Sequence, residues 1–538
     1  MTVVPRTRVT SGAHALVAAL EAHGVEVVFG IPGQHALSLW EALDSSSIRT
    51  VVVRHEQAAA FAAVGYARTS GRPGVCITST GPGAFNAFAG MGEADASSHR
   101  VLHITTQVPS DAGERGWMHE TTGQRAAFEA VSRHHVRPGT PRALGLAVDE
   151  ALCAIATRPG PAMVEALTTV LTAPADEEAR AATPLSLPAP DPAAVARVRE
   201  LLQAARAPLV FAGGGSRLAA SEVRALAEQL DAPVVTSFNG KGVLPPGHPL
   251  HAGSSFEEPS IRNLVASSDA CIALGTRFAE EYTCHWAVEF PESLVQVDLD
   301  PSRIGRNYPV REGVVADVGL FCRALLDAGI PAGERDGGAE ARAALSGRQS
   351  EVAAHGYGEE RELMHQLDRA LPDDAIVVAD MTIQGYWAVL YLDARRPGGL
   401  CYPMSGALGS GIPTALGTVA ANPDSPTVVL VGDGGFQMAG HELMTAQQHG
   451  LPMVVLLVND NCFGVLKNYQ ESAYGHSSDV ELRSPDFEAL ARGYGVGYRR
   501  IESPADAGAA LTDAVARLAE GSTLIELQAE LKAPPQSI

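Results

Sequence analysis

The sequence contains no C-x-x-C pair, and its 7 cysteines are odd in number and far apart. That usage excludes a disulfide framework and a zinc site and fits a reducing compartment. No uninterrupted apolar run approaches the ~20 residues that a membrane helix requires. The opening MTVVPRTRVTSG lacks the apolar core of a secretion signal, so a cytoplasmic location is expected. Positive charge is scarce as well: 40 Lys and Arg stand against 61 Asp and Glu, a net −21. A chain this acidic repels nucleic acid and anionic membranes, and neither is expected as a partner.

What is present is an ordinary globular balance, 46% hydrophobic and 19% charged over 538 residues. That length is too great for one core, so about three domains are expected. Thr172 to Ala194, with Pro at 174, 184, 188, 190 and 192, and Asp327 to Gln349 lack apolar periodicity and read as linkers. They leave blocks 1–171, 195–326 and 350–538. In the first block Val25–Gly30, Thr50–Arg54, Gly74–Thr78 and Val101–Thr105 read as buried strands, with helices at Ser11–His23, Gln57–Thr69 and Ala84–Ala96. The middle block repeats the scheme at Pro208–Phe211, Pro233–Ser237, Ala270–Leu274 and Ser293–Val297. The last has Ala375–Ala379, Thr427–Val431, Met453–Asn459 and Thr523–Leu527. The alternation predicts an α/β chain of three consecutive doubly wound parallel-sheet domains. Ligands in such sheets sit at the carboxyl ends of strands, so the strand-to-helix turns are where chemistry is sought.

The strongest turn lies in TVVLVGDGGFQMAGHELMTAQQHGLPMVVLLVNDNCFG. One apolar strand ends in Gly432-Asp433-Gly434-Gly435 and the next in Asn459-Asp460-Asn461, followed by Cys462, Phe463 and Gly464. Glycines let backbone approach phosphate oxygens, and the following helix start offers free N–H groups. Asp433 and Asp460 supply oxygen ligands for Mg²⁺, which completes its shell with phosphates and water. In the first block the strand Thr50–Arg54 runs into His55-Glu56 and the small-residue helix AAAFAAVGYAR.

These segments resemble the G-D-G…N-N motif and the activating-glutamate segment of thiamine-diphosphate enzymes, the acetolactate synthase and 2-oxoacid decarboxylase superfamily. The resemblance spans essentially the whole chain, in the order pyrimidine-binding, central and diphosphate-binding domain. It implies thiamine diphosphate and Mg²⁺ as cofactors, with Asp433, Asp460 and the Cys462 carbonyl on the metal. Asp460 departs from the commoner Asn, and a carboxylate is still a good Mg²⁺ ligand. Gly432, Gly434, Gly435, Asn461, Phe463 and Gly464 fall in the diphosphate turns. Glu56 falls where the family's carboxylate drives the cofactor's aminopyrimidine ring. Pro32, Gly33, Ser79, Pro82 and Asn86 match pyrimidine-pocket positions. In the third block Thr382 is a further contact position, Gly406 offers a carbonyl and Leu408 is the apolar wedge. The resemblance also implies a homodimer or homotetramer with active sites at the subunit interface, since Glu56 and Asp433 come from different domains.

Which 2-oxo acid is taken is less legible. His35, Gln107 and His119 are candidate catalytic groups, and a histidine near the reacting carbon handles protons near neutral pH. Acetolactate synthases usually carry Phe-Gln where this chain has His119-Glu120. The segments MHETTGQ, GDGGFQ and FGVLKNYQESA are most similar to the 5-guanidino-2-oxopentanoate decarboxylase group. The expected activity is decarboxylation of a small-molecule 2-oxo acid, releasing an aldehyde or ligating a second carbonyl. A true acetolactate synthase and a catalytically silent paralogue are the alternatives. The central turn AGGGSRLA is a weak dinucleotide signal on its own. GTRFAEE stands where flavin-binding relatives have an R-F-D-D-R run, which argues against bound FAD.

Overall fold

The computed structural model describes residues 8–109, 115–178, 181–184, 186–254, 256–331, 333 and 336–534. Parts of both expected linkers, residues 179–180, 185, 332 and 334–335, lie outside them. All seven cysteines are free.

The chain opens with β1 (Arg8–Ser11), which pairs antiparallel with β8 (Pro174–Glu178). Between them lies the first sheet: β2 (Val27–Gly30), β3 (Arg49–Val52), β4 (Gly74–Thr78), β5 (Val101–Gln107), β6 (His134–Val136) and β7 (Pro161–Leu167). Its order is β3-β2-β4-β5-β7-β6, parallel throughout. The middle sheet has β9 (Pro208–Ala212), β10 (Val234–Thr236), β11 (His251–Ser254), β12 (Ala270–Leu274), β13 (Ser293–Asp298) and β14 (Glu312–Val315), in the order β11-β10-β9-β12-β13-β14. The third has β15 (Ile376–Ala379), β16 (Leu400–Cys401), β17 (Thr427–Gly432), β18 (Val454–Asn459), β19 (Gly497–Ile501) and β20 (Thr523–Gln528), in the order β16-β15-β17-β18-β20-β19. The first and third sheets share one topology, and the middle sheet has another. In each, strand order reverses between two central strands, which opens a crevice at their carboxyl ends.

The helix Glu56–Ser70 is built almost wholly of small residues, and that composition decides what it packs against. His55 caps its start by accepting from Gln57 N, and Gly71, at φ 73°, ends it. Its partner is the helix Gly411–Ala421 of the third block. A Cβ on Gly65 would lie 2.0 Å from the Thr414 carbonyl oxygen, and one on Gly417 would lie 1.7 Å from that of Ala62. Only glycine permits so close a crossing. One apolar core therefore joins the first and third sheets.

The second expected linker behaves differently. Gly337–Ala354 is an α-helix, and it runs through position 350, where the third block was expected to begin. It packs on β11 and on the helix Pro259–Ala266, burying Ala341, Ala344 and Val352. Small residues on the packed face supply little apolar contrast, so the periodicity was invisible. Among the described residues no helix is long and apolar enough to cross a membrane.

Candidate active site

The carboxyl ends of β2 to β5 gather the first group of expected residues. Asn86 Nδ2 donates to Glu56 Oε2 at 3.0 Å, and a Cβ on Gly83 would stand 3.1 Å from Glu56 Oε1. Glu56 is half-buried at the helix start. A Cβ on Gly33 would collide with Ser79 Cβ at 2.5 Å, so the loops after β2 and β4 touch. Pro82 opens the short helix Pro82–Asn86. His119, at φ 69°, lays its carbonyl against Gly81, where a Cβ would meet it at 2.2 Å. Its ring lies edge-on to that of His35, with centroids 5.3 Å apart. Burial, then the neighbouring His119, lowers the His35 pKa, so its imidazole is neutral near pH 7.

Gln107 takes a different place from the one expected of a catalytic group. Its side-chain oxygen accepts from Thr80 Oγ1 at 3.1 Å and from Val108 N at 2.9 Å, so it braces the turn. Gln124 does the same: its Oε1 accepts from Thr80 Oγ1 at 3.0 Å and Gly81 N at 2.8 Å, and its Nε2 donates to Glu165 Oε1 at 2.8 Å. Glu165 is fully buried and also accepts from Arg137 Nε at 2.8 Å, with His135 Nε2 standing 3.4 Å away. Burial pushes its pKa up, but His135, Gln124 and Arg137 outweigh that and hold it at about 2. A carboxylate in the apolar run PAMVEAL was the available signal for this network.

The third sheet supplies a cavity of 260 Å³ at the strand-order reversal between β15 and β17. Thr382, Gly406, Leu408 and the Gly432–Gly435 turn line it, with Asp460, Cys462, Phe463 and Gly464 from the end of β18. Asn461 is brought to the turn but not to the cavity. It is exposed, at φ 57°, and its carbonyl accepts from Leu482 N at 2.7 Å. The left-handed backbone at Asn461 turns the chain so that Asp460 and Cys462 both face the cavity.

Close contacts explain the glycines. A Cβ on Gly464 would stand 2.3 Å from Asp460 Oδ2, and one on Gly434 would stand 2.7 Å from the Phe463 ring. The helices Asp433–Ala439 and Gly464–Tyr474 start at the cavity with no side-chain cap, so their first N–H groups are open to an anion. Gln384 Nε2, on a cavity-lining residue, is buried without a partner. Ser484 Oγ donates to Asp433 Oδ2 at 2.7 Å. Burial raises the pKa of Asp433, and burial with the Asp433 charge takes that of Asp460 to about 6. Two carboxylates so placed fit a hard cation between them. Among the described residues no three His, Cys, Asp or Glu side chains form a metal cage, so an ion here takes further oxygens from backbone and ligand. Burial drives the Cys462 thiol up to about 12, which leaves its carbonyl as its ligand atom.

Two supports had no sequence signal beyond being acidic. Asp380 is fully buried and accepts from Met381 N at 2.7 Å, Gly409 N at 2.9 Å and Gly411 N at 3.0 Å, which ties the Gly406–Leu408 loop to the end of β15. Burial lifts its pKa to about 6 despite those donors. Glu442 is also fully buried, and its Oε1 accepts from Arg54 N at 3.0 Å and His55 N at 3.1 Å. The third block thus grips the turn that carries Glu56.

Comparison with known proteins bears on the whole chain. Models of the thiamine pyrophosphate enzymes match it in three places: the N-terminal TPP binding domain at residues 10–128, the central domain at 195–325 and the C-terminal TPP binding domain at 380–527. The probable 2-ketoarginine decarboxylase AruI of Pseudomonas aeruginosa is 37% identical over 97% of this chain and 95% of its own length. The chain belongs to the thiamine pyrophosphate enzymes. As a member of that family it has TPP-binding domains at both ends, and its fold is the expected α/β one. Other relatives are a probable acetolactate synthase large subunit of Methanocaldococcus jannaschii, 30% identical over 94% of this chain and 90% of its own, and the acetolactate synthase large subunit of Corynebacterium glutamicum, 32% identical over 91% and 82%.

In this TPP enzyme the middle-block glycines have a packing role. Gly213 and Gly215 lie against Gly275, where any Cβ would meet backbone at 2.2 to 2.9 Å. Beside them Arg217 is held by the carbonyls of Gly214 and Arg68, at 3.2 and 2.7 Å.

Proposed function

We propose that this chain decarboxylates a 2-oxo acid, using thiamine diphosphate held through Mg²⁺ at a site completed by a second copy of itself. One observation carries the reading: among the described residues the 260 Å³ cavity is lined by nothing from residues 1–171, while Glu56 and its neighbours form a separate surface. The two halves meet if a partner subunit brings its first block to the third block of this one, as a homodimer or homotetramer in the cytoplasm.

Asp433, Asp460 and the Cys462 carbonyl would hold Mg²⁺, with the Gly432–Gly435 turn and the Gly464 helix start on the diphosphate. When bound, the cofactor supplies the electron sink that lets carbon dioxide leave a 2-oxo acid. Glu56, fixed by Asn86, would be the carboxylate that holds or releases a proton beside the bound cofactor. Leu408 and the Gly406 carbonyl, in a loop that Asp380 keeps in place, would help hold the cofactor in the cavity. His35 and His119 face the substrate side, and the neutral His35 imidazole can accept a proton near pH 7. The Pseudomonas relative is named for a 2-oxo acid decarboxylation, which supports the same reaction here.

Acetolactate synthesis is the second reading, favoured by the relatives at 30–32% identity. His119-Glu120, in place of the synthases' usual Phe-Gln, weighs against it, and GTRFAEE weighs against bound FAD. The test is a panel of 2-oxo acids followed for carbon dioxide, aldehyde and ligated products, with thiamine diphosphate and Mg²⁺ supplied. Stoichiometric aldehyde supports decarboxylation; acetolactate from pyruvate supports the second reading. Carbon dioxide from no substrate overturns both.

A further inference from the structure

A buried carboxylate of the first block reaches across to the third. Glu93 lies on the helix Phe88–Ala96, which packs on the helix Glu56–Ser70. A Cβ on Gly90 would stand 2.5 Å from that of Ala60, and so close a crossing fixes where the Glu93 side chain starts. Its Oε1 accepts from Met404 N at 3.1 Å and its Oε2 from Ser405 N at 2.8 Å, 311 and 312 residues along the chain. Ser97 Oγ also donates to Oε1. Three donors converge on one side chain, and a carboxylate, which offers acceptors alone, satisfies them all. Glu93 is buried, so these donors stand in for water around it.

The segment held in this way carries the Gly406 carbonyl and Leu408 at the cofactor cavity. Glu93 holds its near end, and Asp380 holds its far end at Gly409 N and Gly411 N. Between these anchors the backbone of Gly406, Ala407 and Leu408 makes no hydrogen bond among the described residues. Gly406 and Gly409 have φ of 74° and 81°, which bends the segment at both ends without stiffening it. Ser405 and Gly406 are exposed, so packing does not fix them either. The place of this loop at the cavity therefore depends on two carboxylates, one from each block. Glu93 is not among the residues that line the cavity, so it acts on the loop and not on a bound molecule. Glu442 does the converse, holding from the third block the turn that precedes Glu56.

We infer that Glu93 is a positioning residue for the cofactor: by fixing Met404 and Ser405 it holds the Gly406 carbonyl and Leu408 in place for the part of thiamine diphosphate remote from its diphosphate. The inference rests on the proposed placement of the cofactor in this cavity. The diphosphate and metal end, at Gly432–Gly435, Asp433 and Asp460, is built by β17 and β18 and does not depend on Glu93. Loss of Glu93 should therefore weaken thiamine diphosphate and spare inorganic diphosphate.

The experiment compares the full-length wild type with Glu93→Ala and with Glu93→Gln, which is nearly equal in size and keeps one acceptor oxygen. Amide hydrogen–deuterium exchange over residues 404–411 is measured without cofactor. Calorimetry then gives the affinities for thiamine diphosphate and for inorganic diphosphate, both with Mg²⁺, and kcat for carbon dioxide release is measured alongside. In Glu93→Ala the amides of Met404 and Ser405 should exchange about tenfold faster or more. Its thiamine diphosphate affinity should fall by about tenfold or more, with inorganic diphosphate changed by less than about threefold. A slip of about 1 Å in the loop should lower kcat by about 10²-fold. Glu93→Gln should fall between Glu93→Ala and the wild type in each. Unchanged exchange at the two amides overturns the inference, because Glu93 then does not hold the loop. Faster exchange with thiamine diphosphate affinity intact overturns it too, and so does an equal loss for both ligands, the mark of a general loosening. If Glu93→Ala does not fold, Glu93→Gln decides by the same results. A wild type that binds thiamine diphosphate no more tightly than inorganic diphosphate overturns the inference without any variant. A wild type that binds thiamine diphosphate but releases carbon dioxide from no 2-oxo acid defeats the decarboxylation alone, and the exchange and binding results still decide the role of Glu93.

Discussion

Replacing Glu442 by Ala should slow turnover as well as loosen the fold. Its Oε1 accepts the backbone N–H groups of Arg54 and His55, at 3.0 and 3.1 Å, and its Oε2 accepts from Thr445 Oγ1. Hydrogen bonds to a charged group contribute about 1.5–3 kcal/mol each. Water can enter beside the exposed Arg54 and restore part of that, so a loss of about 2–4 kcal/mol in unfolding free energy is expected. The functional loss has another origin. The two N–H groups belong to the turn immediately before Glu56, and a slip of about 1 Å at a reacting group costs on the order of 10²-fold in rate. Denaturant midpoint and kcat for carbon dioxide release, measured side by side, separate the two effects. Glu442→Ala should lower kcat by about 10²-fold at temperatures where the protein is folded, and Glu442→Gln, which keeps an acceptor oxygen, should recover most of it. A folded Glu442→Ala enzyme with wild-type kcat would show that the grip on this turn is structural only.

Two other perturbations follow from the geometry. Glu165 falls from its ordinary 4.5 to about 2, so its ionised form supports the fold above pH 4.5, and that support is lost as pH falls toward 2; the shift corresponds to about 3 kcal/mol at most. Urea titrations should find Glu165→Gln less stable at pH 7 by about 2–3 kcal/mol and less sensitive to acid than the wild type, and an unchanged acid dependence would contradict the network. Gly464→Ala puts a methyl group where Asp460 Oδ2 lies 2.3 Å away, so the Mg²⁺ concentration giving half-maximal activity should rise at least tenfold, whereas an unchanged Mg²⁺ requirement would place the metal elsewhere.

How far the sequence revealed this molecule depended on the reach of each signal. Buried central strands were plain: Gly74–Thr78 and Ala270–Leu274 occupy the expected residues. The edge strands β6, β11, β14, β16 and β19 were passed over, because an edge such as GYRRI is half-exposed and lacks a continuous apolar run. The interior β7 was hidden by Glu165 within it. In the candidate site, turns whose chemistry is local, such as Gly432–Gly435, could be read directly. Glu442, Asp380 and Gln124 could not, since each works on backbone distant in the chain, 388 residues away for Glu442 and Arg54. Nothing local distinguishes such an acid from one on a solvated surface.

Glu56 is the residue on which the proposed reaction depends most directly. The measurement is hydrogen–deuterium exchange at the thiazolium carbon of bound thiamine diphosphate, quenched and read by NMR, in wild type and Glu56→Gln, with cofactor affinity measured alongside. Glu56→Gln should bind the cofactor nearly as well as the wild type and exchange at least 10²-fold more slowly; exchange at the wild-type rate would contradict the role assigned to this carboxylate.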